Sequence, residues 1–331
     1  MRDDPTLRGK PVAVAGNSRR AVVLTASYEA RPYGVRSAMP LYKARAACPD
    51  LVVVPPDRRK YSEVSHQIFD ILGGEERRIE GLSLDEAFVA FGETTLMKAE
   101  QLAQSLRREI FEATGLTVSA GVATGKMIAK IASDTCKPDG LLVIAPGDEA
   151  GFLAPLPVTR LWGIGPKMQT RLSVFGITTI GQLAALDDAR LRELFGSWGS
   201  QLGELARGID RRAVETARET KSISTEETFE YDVRDEKELV NVLRGQAREL
   251  AEILERERTV AQTIAVKIKR ADFTTLGRQT HLAEPTRDAR RIFRAAVYCL
   301  RRAGLEGTAV RLLGTRVASL TEGDTLQTSL F

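Results

Sequence analysis

Apolar positions along this chain change period from segment to segment, and each change marks an element. PVAVAG and AVVLTAS are short apolar runs separated by GNSRR, which predicts two buried strands joined by a turn. Residues 58–73 (RRKYSEVSHQIFDILG) set Tyr61, Val64, Ile68 and Ile71 at helical spacing. A strand ending near Leu82 follows, and then a strand that carries DEAFVAF. Leu102, Leu106, Ile110 and Phe111 mark one side of a further helix. LTVSAGVAT reads as a strand, GKMIAKIASDTC as a helix and GLLVIA as another strand. Strand pairs interleaved with helices predict an α+β sheet layered on helices, so the first two-fifths of the chain should build a compact sheet domain.

Around Pro155–Pro157 the pattern shifts. Residues 158–209 hold short helical segments broken by glycines, including LWGIGPKMQTRL and ITTIGQLAAL. AVETARETK (residues 213–221) is polar and lacks turn chemistry, as an interdomain linker would. Strand TFEYDV, helix 235–257, strands TVAQTIAVKIK and TLGRQTHL, helix 286–303 and strand AVRLLGTRVASL form a last domain. TEGDTLQTSLF reads as a flexible tail.

The bulk numbers narrow the classes. A chain of 331 residues allows two or three domains with sizeable cores. No apolar run approaches the roughly 18 residues of a membrane span, and no signal-peptide pattern opens the chain. Three scattered cysteines (Cys48, Cys136, Cys299) and two histidines exclude a Cys/His zinc site and suit reduced thiols in a cytoplasm. Charge is segregated: Ser222–Arg258 has 6 Lys/Arg against 11 Asp/Glu, whereas Thr259–Leu320 has 12 against 4. That basic stretch fits a polyanion, with nucleic acid the first candidate, or a solvated surface equally well.

Candidate chemistry centres on GLSLDEAFVAF (residues 81–91). Adjacent carboxylates in an apolar setting repel one another, and burial raises the pKa of each. A divalent cation removes both penalties, and carboxylate oxygens are the ligands Mg²⁺ prefers. A DE pair can equally mark a turn between hairpin strands. TASYEARPYGVRSAMP adds the phenol of Tyr28 and the guanidinium of Arg31, and IASDTCKPDG adds Lys137. An Arg fork, a Lys point charge and a Tyr hydroxyl suit a triphosphate.

SLDEAF, YEARPYGVRSAMP and KIASDTCKPDG together resemble the Y-family DNA polymerases of the DNA polymerase IV-like, lesion-bypass branch, in order along the whole chain. The resemblance implies an α+β, right-hand-like architecture. Its parts are a palm (1–12 and 59–152), fingers (13–58), a helical thumb with a helix-hairpin-helix (153–212), a linker (213–221) and a little finger (222–320). It also implies that Asp85 and Glu86 ligate two Mg²⁺ ions and are the catalytic residues. Tyr28, Arg31, Lys137 and Thr25 would then hold the triphosphate of the incoming dNTP. Members of the family open on a strand of the type D-x-D-x-F-F that supplies a further metal-binding Asp. MRDDPTLRGKPVAV resembles the segment just after it, so roughly 17–20 residues are missing by this comparison, and the chain as written should bind catalytic metal poorly; the alternative reading is a catalytically impaired DNA- and clamp-binding relative. Asp3 and Asp4, in a polar turn, are not substitutes.

LWGIGPKMQTRL resembles a helix-hairpin-helix, in which Gly163 and Gly165 admit a DNA phosphate to the backbone and Lys167 adds charge. In AQTIAVKIKR, Ile264, Val266 and Ile268 face one way and Lys267 and Lys269 the other, with Arg270 and Arg278 nearby. The cationic face should track a phosphate backbone. The closing QTSLF (Gln327, Ser329, Leu330, Phe331) resembles the pentapeptide by which bacterial polymerases dock on the sliding clamp. Expected partners are therefore primer–template DNA, a dNTP and the clamp, with no membrane and a monomeric chain.

Overall fold

The computed structural model describes residues 1–74, 77–216 and 219–323. The chain clusters into two compact units, Met1–Arg8 with Asp57–Arg218, and Gly9–Pro56 with Glu219–Phe331. Among the described residues no helix is long and apolar enough to cross a membrane.

Gly9–Pro56 contributes β1 (Val12–Ala15), β2 (Val23–Ala26), α1 (Leu41–Ala47) and β3 (Val52–Val54). β1 lies in the middle, antiparallel to β2 and parallel to β3. α1 shares a core of small side chains with this sheet: Ala13, Ala15, Ala26 and Ala44 are buried together with Val23, Leu41 and Cys48.

The first unit continues with α2 (Arg58–Gly73), β4 (Arg78–Gly81), β5 (Ala87–Ala90) and α3 (Leu96–Thr114). Asp57 caps α2 by accepting from the Lys60 amide at 3.1 Å. Thr95 opens α3, and Gly115, at φ +68°, closes it. The apolar side of α3 is Ala99, Ala103, Leu106 and Ile110; Phe111, one position round from Ile110, is 53% exposed and not part of it. Then come β6 (Ala120–Val122), α4 (Lys126–Thr135) and β7 (Leu141–Val143), a parallel strand pair joined by a helix. α4 lies so close on β6 that a Cβ at Gly121 would stand 2.0 Å from the Ala129 carbonyl oxygen. Five short helices follow, α5 (Glu149–Leu153), α6 (Pro166–Val174), α7 (Ile180–Ala184), α8 (Asp188–Phe195) and α9 (Gly199–Ala206). Their Leu153, Leu172, Ile180, Leu191 and Leu202 share one core with Met127, Ile128 and Ile131 of α4.

The C-terminal part is β8 (Ser222–Val233), α10 (Glu236–Arg256), β9 (Thr259–Arg270), β10 (Thr275–Thr286), α11 (Ala289–Arg301) and β11 (Val310–Glu322). The strands form an antiparallel sheet in the order β10-β9-β11-β8. α10 and α11 cover one face, where Leu243, Leu250, Ile292 and Ala296 meet Ile264, Val266, Ile268, Leu313 and Val317. Gln246 is satisfied inside that core, donating to the Leu313 carbonyl at 2.9 Å and accepting from the Thr315 hydroxyl at 2.8 Å.

The single sheet domain expected over the first two-fifths is not what forms. Among the described residues its strands make a three-stranded sheet and two separate pairs, and residues 9–56 cluster with the C-terminal part. The turn GNSRR explains this clustering, because it anchors as well as connects. Arg20 pairs with Asp232 of β8 at 2.8 Å and donates to the Phe229 carbonyl at 3.1 Å, while Arg19 lies over the Tyr231 ring at 5.1 Å.

Candidate active site

Asp85 and Glu86 lie in the turn between β4 and β5, not at the centre of a strand. The expected strand is therefore shorter at its start, and the reason is local. The amides of Leu82 and Ser83 both donate to the Glu86 carbonyl, at 2.8 and 3.3 Å, so the chain reverses here and side-chain alternation begins only at Ala87. The Ser83 hydroxyl donates to Asp85 Oδ1 at 2.6 Å, and Ser65 of α2 donates to the Leu84 carbonyl at 2.6 Å. Phe88, buried two residues beyond Glu86, meets Trp162 edge-on at 6.0 Å and anchors the turn.

Opposite this turn runs α4, and its polar side chains form an alternating row of charges. Lys130 Nζ is 2.6 Å from Glu86 Oε1 and 3.6 Å from Asp134 Oδ2, and Asp134 Oδ1 is 2.6 Å from Lys137 Nζ. Burial pushes the Asp134 carboxyl up, but the Lys137 hydrogen bond and the charges of Lys130 and Lys137 outweigh it and hold it below the usual value. One turn earlier, Lys126 Nζ is 2.6 Å from Glu80 Oε2 of β4, and both side chains are almost fully buried. The start of α4 is capped from far along the chain, as Asp210 accepts from the Met127 amide at 2.9 Å and is forked by Arg212 at 2.7 Å. Burial raises the Asp210 carboxyl and these hydrogen bonds lower it further, so it ends below its ordinary value.

The structure thus brings Asp85, Glu86 and Lys137 onto one unit. Tyr28 and Arg31 lie on the other and are paired with each other. The Arg31 guanidinium stacks 4.1 Å over the Tyr28 ring and its Nε donates to the Ala26 carbonyl at 3.3 Å, and Thr25 is exposed on β2. Asp3 is ion-paired with Arg2 and Lys60, and Asp4 caps a short helix through Thr6. Among the described residues no three His, Cys, Asp or Glu side chains are grouped to hold a metal. The donor set nevertheless suits a hard cation. Asp85 is exposed, and Glu86 already holds a cation in the form of the Lys130 ammonium.

In the stretch preceding α6, Gly163 has φ +92° and its bare Cα leaves room for the Trp198 ring, which a Cβ would meet at 2.7 Å. Gly165 faces open space at the start of α6, and Lys167 is exposed in its first turn. On the C-terminal sheet, Lys267 and Lys269 share the face that the helices leave open, with Lys267 held by Glu226 at 2.8 Å across β11. Gly314 lies between them, and its missing side chain is what lets the pair close. Arg270 and Arg278 do not join that face. Arg270 continues the parity of Ile268, while Arg278 stands opposite Val266 and donates to the Arg302 carbonyl at the end of α11. Arg316, registered with Ala265 and exposed, takes their place. Gln327, Ser329, Leu330 and Phe331 lie outside the described residues.

Comparison with known proteins decides the family. The impB/mucB/samB family model matches residues 1–134, its helix-hairpin-helix motif residues 146–177, and its C-terminal domain residues 220–330. DNA polymerase IV of Desulfatibacillum aliphaticivorans is 40% identical over 99% of this chain and 84% of its own length. That of Methanoculleus marisnigri is 43% identical over 100% and 93%. The chain belongs to the impB/mucB/samB, or Y-family, DNA polymerases. Among solved structures, a Y-family DNA polymerase chimera of Dbh and Dpo4 superposes with a TM-score of 0.87 at 28% identity, covering 96% of this chain and 93% of the chimera. An insertion ternary complex of Dbh DNA polymerase matches at 0.67 and 28%, covering 95% and 93%. The mixed α/β content and the C-terminal little-finger domain are those of this family.

Sequence reasoning passed over Lys130, Asp134 and Arg316. The first two were signalled by their i, i+4 spacing in KIASD. Arg316 was signalled by alternation in LLGTRVASL, where Leu313, Thr315 and Val317 point inward.

Proposed function

We propose that the chain is a template-directed, lesion-bypassing DNA polymerase that adds dNMPs to a primer 3′-hydroxyl. One observation carries this: the Asp85–Glu86 turn facing the lysines of α4, in a chain about 40% identical to DNA polymerase IV relatives along nearly its whole length. Family membership implies dependence on a divalent metal. Asp85 and Glu86 would hold it, and Mg²⁺, as two ions, is the metal their chemistry suits. When bound, it supplies a lowered pKa at the primer hydroxyl and charge neutralisation on the phosphates.

The chain's own residues do the positioning. Tyr28 and Arg31, stacked in advance, would hold the triphosphate, with Thr25 and Lys137 as further ligands. Charge stabilisation by Arg31 and Lys137 favours departure of pyrophosphate. The backbone at Gly165 and the ammonium of Lys167 take a duplex phosphate. Lys267, Lys269 and Arg316 track the backbone without reading bases, as template indifference requires. Primer extension by the full chain on an undamaged and an abasic template, with dNTP and Mg²⁺, tests the reading. Two carboxylates alone should hold metal weakly, so Mg²⁺ is raised to saturation; full-length product on both templates is then expected, and absence of any extension at saturating Mg²⁺ overturns it.

Two further outcomes follow. Glu226→Gln frees Lys267, so DNA affinity rises at low salt and the slope of log K against log salt steepens by about 1. Fluorescence anisotropy over a salt series checks this, and an unchanged slope removes Lys267 from the interface. The QTSLF ending docks on a sliding clamp. Deleting Gln327–Phe331 is expected to abolish stimulation by added clamp while sparing clamp-independent synthesis, and equal loss of both refutes the docking role.

A further inference from the structure

The row Glu86–Lys130–Asp134–Lys137 joins two residues given separate tasks above, the metal carboxylate and the triphosphate lysine. Its geometry is uneven. Lys130 sits tightly on Glu86 at 2.6 Å and loosely against Asp134 at 3.6 Å, while Asp134 sits tightly on Lys137 at 2.6 Å. One ammonium therefore has two carboxylates in reach, and one carboxylate has two ammoniums in reach. α4 fixes the spacing, since Lys130 and Asp134 are one turn apart and Lys137 follows just past its end. The helix is held at two places, capped by Asp210 at its start and pressed on β6 at Gly121. The long lysine side chains are therefore the parts that move most readily.

We propose that Lys130 is a positioning residue, a built-in counter-ion for Glu86 that couples metal occupancy to triphosphate capture. Lys130 neutralises Glu86 while no metal is present. When a divalent cation takes the Glu86 carboxylate, the Lys130 ammonium is repelled and closes onto Asp134, the nearest alternative acceptor. Asp134 then divides its charge between two lysines, its hold on Lys137 weakens, and Lys137 turns to the triphosphate. The order of events follows from the geometry: Lys137 is held back until the metal site is filled. This rests on the metal and triphosphate assignments made above.

The test uses the full chain with primer–template DNA and Mn²⁺ as the probe, with free Mn²⁺ counted by electron paramagnetic resonance and dNTP dependence measured separately. Lys130→Met removes the competing ammonium, so Mn²⁺ should bind at least about fivefold tighter, and Lys130→Arg should restore the ordinary affinity. With metal saturating, Lys130→Met should raise the KM for dNTP by about fivefold or more, because Asp134 keeps Lys137 undivided. Adding Asp134→Asn to that variant should return the KM to within about twofold of the unsubstituted chain. A Lys130 that merely supported the fold would lower thermal stability and tighten nothing. Glu86→Gln separates the two levels of the argument. If it weakens Mn²⁺ binding but Lys130→Met tightens nothing or leaves the KM unmoved, the coupling is refuted and the metal site stands. If Glu86→Gln leaves Mn²⁺ binding unchanged, the metal site falls and the coupling with it.

Discussion

Glu86→Gln is expected to lower single-turnover primer extension by about a thousandfold or more while leaving DNA affinity within about twofold. The substitution is unusually clean. Both turn-closing hydrogen bonds use the Glu86 carbonyl oxygen, which the new side chain does not touch. What disappears is the negative charge that holds Lys130 now and would hold a metal in the working enzyme. An amide oxygen is a far weaker ligand for a hard divalent cation than a carboxylate. Asp85→Asn should behave alike, because its Oδ1 can still accept from the Ser83 hydroxyl and keep the turn intact. Extension surviving within tenfold in both variants would dismiss this turn as the catalytic centre.

Gly121→Ala should be the most damaging single methyl in the first unit. The added carbon would lie 2.0 Å from the Ala129 oxygen and 2.6 Å from the Ser133 nitrogen, both backbone atoms of α4, so no side chain can swing aside. Either the helix lifts from β6 or the strand retreats, at a cost of about 3 kcal/mol, the upper part of the usual range for overpacking. The melting transition of that unit should fall by about 6–12 °C. Lifting α4 also carries Lys130 and Asp134 away from Glu86, and a displacement of about 1 Å can cost about a hundredfold in rate. A variant that melts normally would mean that α4 does not press on β6 at this point.

Local signals made much of this fold legible. The helix expected at 58–73 is observed over those residues, because Asp57 supplies a cap and two glycines end the pattern. The strand TVAQTIAVKIK announced itself by alternation and is observed as β9, whereas β8 begins six residues before TFEYDV. What the pattern could not show was tertiary. DEAFVAF looks like one strand, yet its first two residues belong to a turn fixed by Ser65 and Ser83. Arg278 looks like a neighbour of Lys267, yet cross-strand register puts it on the opposite face. The carboxylates and the lysine were visible as types in a motif. The ammonium that binds them into a row sits 44 residues away from Glu86 and becomes visible only when α4 packs.

The anchors at Arg19 and Arg20 have a consequence for synthesis on the ribosome. Their partners Phe229, Tyr231 and Asp232 are made roughly 200 residues later, which at about 5–20 residues per second is on the order of 10–40 s. Throughout that interval the nascent segment carrying Tyr28 and Arg31 has its own small core but lacks these three partners. The unit containing Asp85 and Glu86 is complete in sequence before β8 exists. Translation thus completes the acidic turn first, and a pause or premature stop before residue 232 leaves a chain whose acidic turn is built and whose Tyr28–Arg31 segment lacks its anchors.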